Sequence, residues 1–185
     1  MPITINGSGT VTGISAGGLP DGVITTDDIA ASAITRAKMG YAGAILQVVQ
    51  TAYTSVDSTT AAGPSSFTST GCTASITPSS SSSKVLAMLS MATYHASAAM
   101  QIGARIMRGS SAAFSGITLD FWVPSPYSGL SGNINIQWLD SPSTTSSVTY
   151  TAQFATWGGG TASINKDYNN NQNGVTYLTL LEVAA

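Results

Sequence analysis

The sequence predicts an all-β protein: an antiparallel, jelly-roll-like β-sandwich preceded by an extended N-terminal stretch. Three observations predict it. Hydroxyl-bearing and β-branched residues dominate, with Ser and Thr together making up more than a quarter of the 185 residues. Apolar residues recur with period two in several short runs, the spacing that turns every second side chain of a strand to one face. Turn clusters of Gly, Pro, Ser and Asn separate those runs, where an alternating β/α chain would place helical patterns.

The body begins at Gly43, and Ala44-Ile45-Leu46-Gln47-Val48-Val49-Gln50 reads as its first strand. From Lys84 to Met91 the chain is almost continuously apolar, which predicts a strand buried on both faces. Asn133-Ile134-Asn135-Ile136-Gln137-Trp138 alternates strictly and directs Ile134, Ile136 and Trp138 inward. Val148, Tyr150, Ala152 and Phe154 form another period-two set, and Val175 to Val183 closes the chain as a long apolar strand. With the serine run after Pro78 read as a loop, about eight to ten strands are expected, as in a sandwich or jelly roll.

The first 22 residues are extended and broken by glycines, and carry no core pattern of their own. Residues 23–39 hold a degenerate ten-residue repeat, in which Val23-Ile24-Thr25-Thr26-Asp27-Asp28-Ile29 aligns with Ala33-Ile34-Thr35-Arg36-Ala37-Lys38-Met39. Each unit reads as a short extended piece and one helical turn. Thr25 suits the cap, and Asp27 and Asp28 suit the positive end of the turn's dipole. A solitary amphipathic turn is unstable in water, so the repeat is expected to pack around an oligomer axis. The expected organisation is therefore 1–22 as an attachment segment, 23–42 as a short neck, and 43–185 as a sandwich.

Composition excludes several functions. Only 8% of residues are charged, the net charge is −2 and no basic cluster exists; nucleic acid is not an expected partner, because nothing would neutralise its phosphates. The longest apolar run is far shorter than a membrane span, so no membrane insertion is expected. Met1-Pro2-Ile3-Thr4 has neither the basic start nor the apolar stretch of a secretion signal. Assembly in a host cytoplasm followed by release within a virion fits that combination. The one cysteine, Cys72, rules out an intrachain disulfide and reads as a small buried apolar side chain.

No enzyme is expected. Gly13-Ile14-Ser15-Ala16-Gly17 matches the nucleophile-elbow string but lacks the strand-to-helix context the mechanism needs. The one histidine, His95, has no acidic neighbour in sequence and reads as a surface or interface residue. Asp120, Asp140 and Asp167 are isolated along the chain, unlike the compact oxygen-ligand patterns that bind calcium or magnesium. No cofactor is implied.

Binding chemistry gathers in two kinds of segment. Asp167-Tyr168-Asn169-Asn170-Asn171-Gln172-Asn173-Gly174 concentrates amides beside an aromatic ring. Amides donate and accept, which suits sugar hydroxyls, and a ring can stack on a sugar's apolar face. Tyr168, Asn169, Asn170, Asn171 and Asn173 are the candidates there. Trp122, Tyr127 and Trp157 join them as large aromatics beside Pro- or Gly-rich turns.

The arrangement resembles the small fibre proteins of tailed bacteriophages, whether attached to tail or head. Gly17-Gly18-Leu19-Pro20-Asp21-Gly22, then Ile24-Thr25-Thr26-Asp27-Asp28-Ile29-Ala30 and Ala33-Ile34-Thr35-Arg36-Ala37-Lys38, is similar to the neck of such fibres. Gly43 through Gln50 is similar to the start of their tips. Ser75-Ile76-Thr77-Pro78, Ile102 through Ser110, Leu139-Asp140-Ser141-Pro142 and the Leu181-Glu182-Val183-Ala184-Ala185 ending are similar to the tip body. The resemblance implies a homotrimer. It also implies that residues 1–22 attach to capsid, portal or tail proteins, and that the β-sandwich tip touches host surface polysaccharide. With two neck units the fibre would be short. The alternative is a capsid decoration protein with a stabilising rather than receptor-binding role.

Overall fold

The computed structural model describes residues 27, 29, 30, 33, 42–113, 116–169 and 171–185. The chain forms two compact units, Met1–Met39 and Gly40–Ala185. In the first, Ala33 N donates to Ala30 O at 2.9 Å. The expected attachment segment and most of the neck repeat lie outside the described residues.

The second unit is all-β. Its described residues form β1 (Ile45–Tyr53), β2 (Asp57–Thr59), β3 (Thr68–Ile76), β4 (Lys84–His95), β5 (Gln101–Arg108), β6 (Ser111–Ala112), β7 (Thr118–Leu119), β8 (Leu130–Asp140), β9 (Val148–Trp157), β10 (Ala162–Ile164) and β11 (Thr176–Val183). Two antiparallel sheets make a β-sandwich. In the front sheet β4 is central: β8 pairs along one edge, while β11 and β10 share the other, with β1 beyond β11 and β2 beyond β10. The back sheet runs β3-β9-β5, with the short β6 and β7 both on the outer edge of β5.

Period-two patterning places the core between the sheets. Along β3, Thr70, Cys72, Ala74 and Ile76 point inward while Ser69, Gly71, Thr73 and Ser75 face out. Along β9, Tyr150, Ala152 and Phe154 are buried and Val148 packs against them, as the alternation predicts. Ile134 and Ile136 of β8 and Leu178 and Leu180 of β11 complete the opposing layer. Each large side chain so buried contributes about 1.5–3 kcal/mol. Cys72 is fully buried and free, and desolvation pushes its thiol up to about 11.

Two expectations change. β4 is not buried on both faces. Val85, Ala87, Leu89 and Met91 are inside, whereas Leu86, Met88 and Ser90 are only half-covered on the outer face. Trp138 is not in the core either: its side chain is 37% exposed, although Asp140 two residues further along β8 is buried.

The buried polar groups are tied in. Asn165, at φ 58°, donates through Nδ2 to the carbonyls of Tyr53 (2.8 Å) and Ser55 (3.0 Å). Its Oδ1 accepts from Thr176 Oγ1 at 2.8 Å, fastening the end of β1 to the start of β11. Glu182, also buried, accepts from Ser79 N at 2.7 Å, Ser79 Oγ at 2.6 Å and Gln47 Nε2 at 2.6 Å.

The sandwich has a polarity. Ala184 N donates to Ala44 O at 2.8 Å, and Ile45 pairs with Val183 beside Lys84, so the chain enters at the end where β4 begins. His95, Gln101, Leu130, Trp157 and Ala162 mark the other end. The 12 residues of β4 separate the two ends by roughly 40 Å.

Candidate functional site

The loops of that far end carry the candidate site. Segment 120–129 leaves β7, crosses the end of the sandwich and enters β8 at Leu130. Val123 N donates to Met100 O at 2.9 Å and Met100 N to Val123 O at 3.3 Å, pinning the loop's first half. A turn closed by Tyr127 N to Pro124 O (2.9 Å) shapes its second half.

His95 anchors both ends of this loop. Its Nε2 lies 3.1 Å from Asp120 Oδ1 and its Nδ1 3.2 Å from Leu130 O, while Gly129 N donates to His95 O at 2.8 Å. Asp120 is saturated. Besides His95 it accepts from Ile102 N at 2.9 Å and Thr93 Oγ1 at 2.9 Å, and its carbonyl accepts from Gln101 Nε2 at 2.9 Å. The Phe121 ring lies 4.8 Å from the imidazole, centroid to centroid, and covers the pair.

His95 is therefore a buried residue with an acidic partner, not the surface or interface histidine the sequence predicts. The partner comes from another strand connection, 25 positions away, which local reading cannot see. The pair also lacks the geometry of a general base. Both ring nitrogens face acceptors, so neither presents a lone pair to a substrate. Its role is to hold the loop.

Above this clasp the loop projects aromatic surface. Trp122 is 50% exposed and Tyr127 62% exposed, with Phe121 and Leu130 partly open beside them. Trp122 lies against the 158–160 turn, where a Cβ on Gly158 would fall 3.1 Å from the indole. The amide-rich loop comes to the same end. Tyr168, 75% exposed, sits over Gly129, whose Cβ would fall 2.9 Å from the ring; Gly129 has φ +75°, which favours glycine. Below it the Lys166 ammonium stands 5.2 Å from the Tyr94 ring centroid, within cation–π range.

The amides of this loop are in part internal. Asp167 Oδ1 accepts from the backbone N–H groups of Asn169 (2.9 Å) and Asn171 (2.7 Å), and Oδ2 accepts from the side chains of Asn171 and Asn173. Desolvation acts to raise the Asp167 carboxyl, and these donors outweigh it, holding it below the ordinary carboxylate value. Asn171 and Asn173, themselves exposed, thus shape the loop, and Tyr168 and Asn169 are exposed beside them. Asn170 lies outside the described residues.

Trp157 belongs to the packing. Its ring meets Phe67 edge-on at 5.8 Å and fills the space over Gly63 and Gly103, where a Cβ would come within 2.2 Å of it. Asp120, Asp140 and Asp167 stay apart: Asp140 accepts from Arg108 Nη1 (2.8 Å) and Tyr150 Oη (2.7 Å) at the opposite end. Among the described residues, no three His, Cys, Asp or Glu side chains could hold a metal together, and no helix is long and apolar enough to cross a membrane.

Sequence reasoning missed one surface. A groove of about 250 Å³ crosses the outer face of the front sheet, lined by Gln50, Met88, Ser90, Asn135, Gln137, Tyr177 and Thr179 among others. The available signal was the outward set Asn133, Asn135 and Gln137, alternating with the inward isoleucines of β8.

Fold and site together define a β-sandwich domain with one aromatic, sparsely charged loop end. No family model and no curated protein matches the sequence. Among solved structures, the chain is similar to the D431N mutant VP2 protein of infectious bursal disease virus in T=1 particles. That match has a TM-score of 0.40 and 10% identity, over 75% of this chain and 36% of that one. The VP2 subviral particle of the same virus gives 0.40 and 9% over 75% and 37%, and the Gx strain structure gives 0.41 and 10% over 75% and 37%. This chain spans little more than a third of those chains' length, and likeness of this degree assigns neither a family nor a function.

Proposed function

We propose that this chain is a structural virion protein: a short, homotrimeric fibre of a tailed phage, attached through residues 1–22, whose sandwich is a tip touching neutral host glycans. One observation carries the reading. Phe121, Trp122, Tyr127 and Tyr168 are exposed together on loops at the end of the sandwich opposite to the entry of the chain at Ala44. An attached protein meets its target with the end farthest from its anchor, and this is the end that bears stacking surface. The amides and hydroxyls nearby suit uncharged, hydroxylated ligands. Single contacts of this kind bind weakly, at millimolar strength; several copies per particle raise the effective strength through avidity.

Labelled antibody against residues 43–185, imaged on particles, tests the placement. The fibre reading expects label projecting from a tail or head vertex, and none on particles made with a chain lacking residues 1–22. Uniform label over capsomers, with unchanged adsorption when the protein is deleted, would replace it with the decoration role.

A further inference from the structure

The His95 ring meets an oxygen at each of its nitrogens. Nδ1 is 3.2 Å from the Leu130 carbonyl and Nε2 is 3.1 Å from the Asp120 carboxylate. A carbonyl oxygen carries no hydrogen and only accepts. The carboxylate accepts as well, its oxygens already taking the Ile102 N–H and the Thr93 hydroxyl at 2.9 Å each. A neutral imidazole has a hydrogen on one nitrogen and a lone pair on the other. Such a ring would make one of these contacts and set lone pair against lone pair in the other.

We propose that His95 clasps segment 120–129 with a hydrogen on both ring nitrogens, as an imidazolium, so that closing this loop takes up one proton and opening it releases one. The display of Phe121, Trp122 and Tyr127 is thereby held by a proton. This goes beyond the glycan reading and does not depend on it.

Burial gives a second, independent argument. The two side chains are 0% and 1% exposed, and a carboxylate so buried is costly unless an opposite charge pairs with it. Among the described residues, the ion pair of Asp120 is with His95. Few other groups near the clasp titrate. On β4, Tyr94 adjoins His95, and the Lys166 ammonium lies over the Tyr94 ring at 5.2 Å. Asp167 is bonded within its own loop. Beside the ring, β8 brings Leu130, β10 brings Ala162 and β5 brings Gln101 and Ile102, all uncharged. From the loop itself comes the Phe121 ring, 4.8 Å away.

The direction of the pH effect follows. In the opened loop both groups stand in water, with ordinary values of about 6.5 for an imidazole and about 3.9 for an aspartic carboxyl. Above the first, closing the loop draws a proton from solution, so alkali favours opening. Below the second, closing the loop expels the carboxyl proton, so strong acid favours opening too. The loop is held best between them.

The chain has one histidine, so nitrogen-15 spectra of the full chain labelled in its histidine ring report on this clasp alone. With the loop closed, both ring nitrogens are expected to carry a hydrogen. Between pH 5.5 and pH 9 the second hydrogen is expected to be lost in one step. The backbone amide signals of Phe121, Trp122 and Gly129 are expected to shift in that same step, while those of Tyr150 and Ala152 in β9 hold their positions. K166M removes the other nearby cation, and the step is expected to persist. A single ring N–H in the closed loop would overturn the proposal. So would loop amides that stay in place while the ring loses its proton, or a step that vanishes in K166M.

Discussion

His95 and Asp120 meet at 3.1 Å as a fully buried pair, and through it one side chain fixes both ends of the loop that carries Phe121, Trp122 and Tyr127. Removing the carboxylate strands several donors at once: the His95 ring, the Thr93 hydroxyl and the Ile102 amide. D120A is expected to lower stability by about 3 kcal/mol, since each buried donor left without its acceptor costs about 1–3 kcal/mol. T93V removes one donor and is expected to cost about 1 kcal/mol. Denaturant midpoints of the two variants should keep that order.

The tryptophans separate packing from display. W157A empties the space between Phe67, Gly63 and Gly103 and is expected to cost about 3–5 kcal/mol. W122A removes a ring that is half in water and is expected to cost under about 1.5 kcal/mol. Thermal unfolding of both, beside a glycan-binding assay, should show W157A losing stability and W122A losing binding.

Much of the fold was legible from alternation alone. The inward sets of β3, β9 and β11 follow period two, and Ile134 and Ile136 sit where that period puts them. Trp138 broke the rule: alternation gives the face of a strand and not how much of a large ring that face can cover, and the indole stays 37% exposed between buried Ile136 and Asp140. The continuous apolar run of β4 was read as burial on both faces, which a single chain does not supply. The aromatics of segment 120–129 and Tyr168 were visible as composition. Their meeting at one end was not, because it follows from the pairing of β4 with β8 and β10. The His95–Asp120 clasp was hidden for the same reason.

Glu182 makes stability depend on acid. Desolvation acts to raise its carboxyl, but bonds from Ser79 and Gln47 outweigh it and hold the group below its ordinary 4.5. The unfolded chain therefore takes up this proton first as pH falls. The stabilisation is complete above the ordinary value and is lost as pH drops through the lower folded one. E182Q is expected to be about 1–3 kcal/mol less stable than wild type at pH 7, with the gap narrowing below about pH 4.5. Urea titrations at pH 7 and pH 3.5 check it.

Cys72 reports on opening of the core. Fully buried, with its thiol pushed up to about 11, it offers almost no thiolate at neutral pH. A disulfide-exchange reagent at pH 8 is expected to leave the native protein unmodified and to label it fully in denaturant. Rapid native labelling would place the sulfur outside the core.

The central claim is that the aromatic loop end is the contact surface, and binding of the full chain to isolated host surface polysaccharide tests it most directly. The triple variant W122A/Y127A/Y168A changes three exposed side chains and leaves the His95–Asp120 clasp and the Asp167 bonds in place. The account predicts at least a tenfold loss of apparent affinity, with the melting temperature and the oligomeric mass unchanged. Wild-type binding by that variant would contradict it.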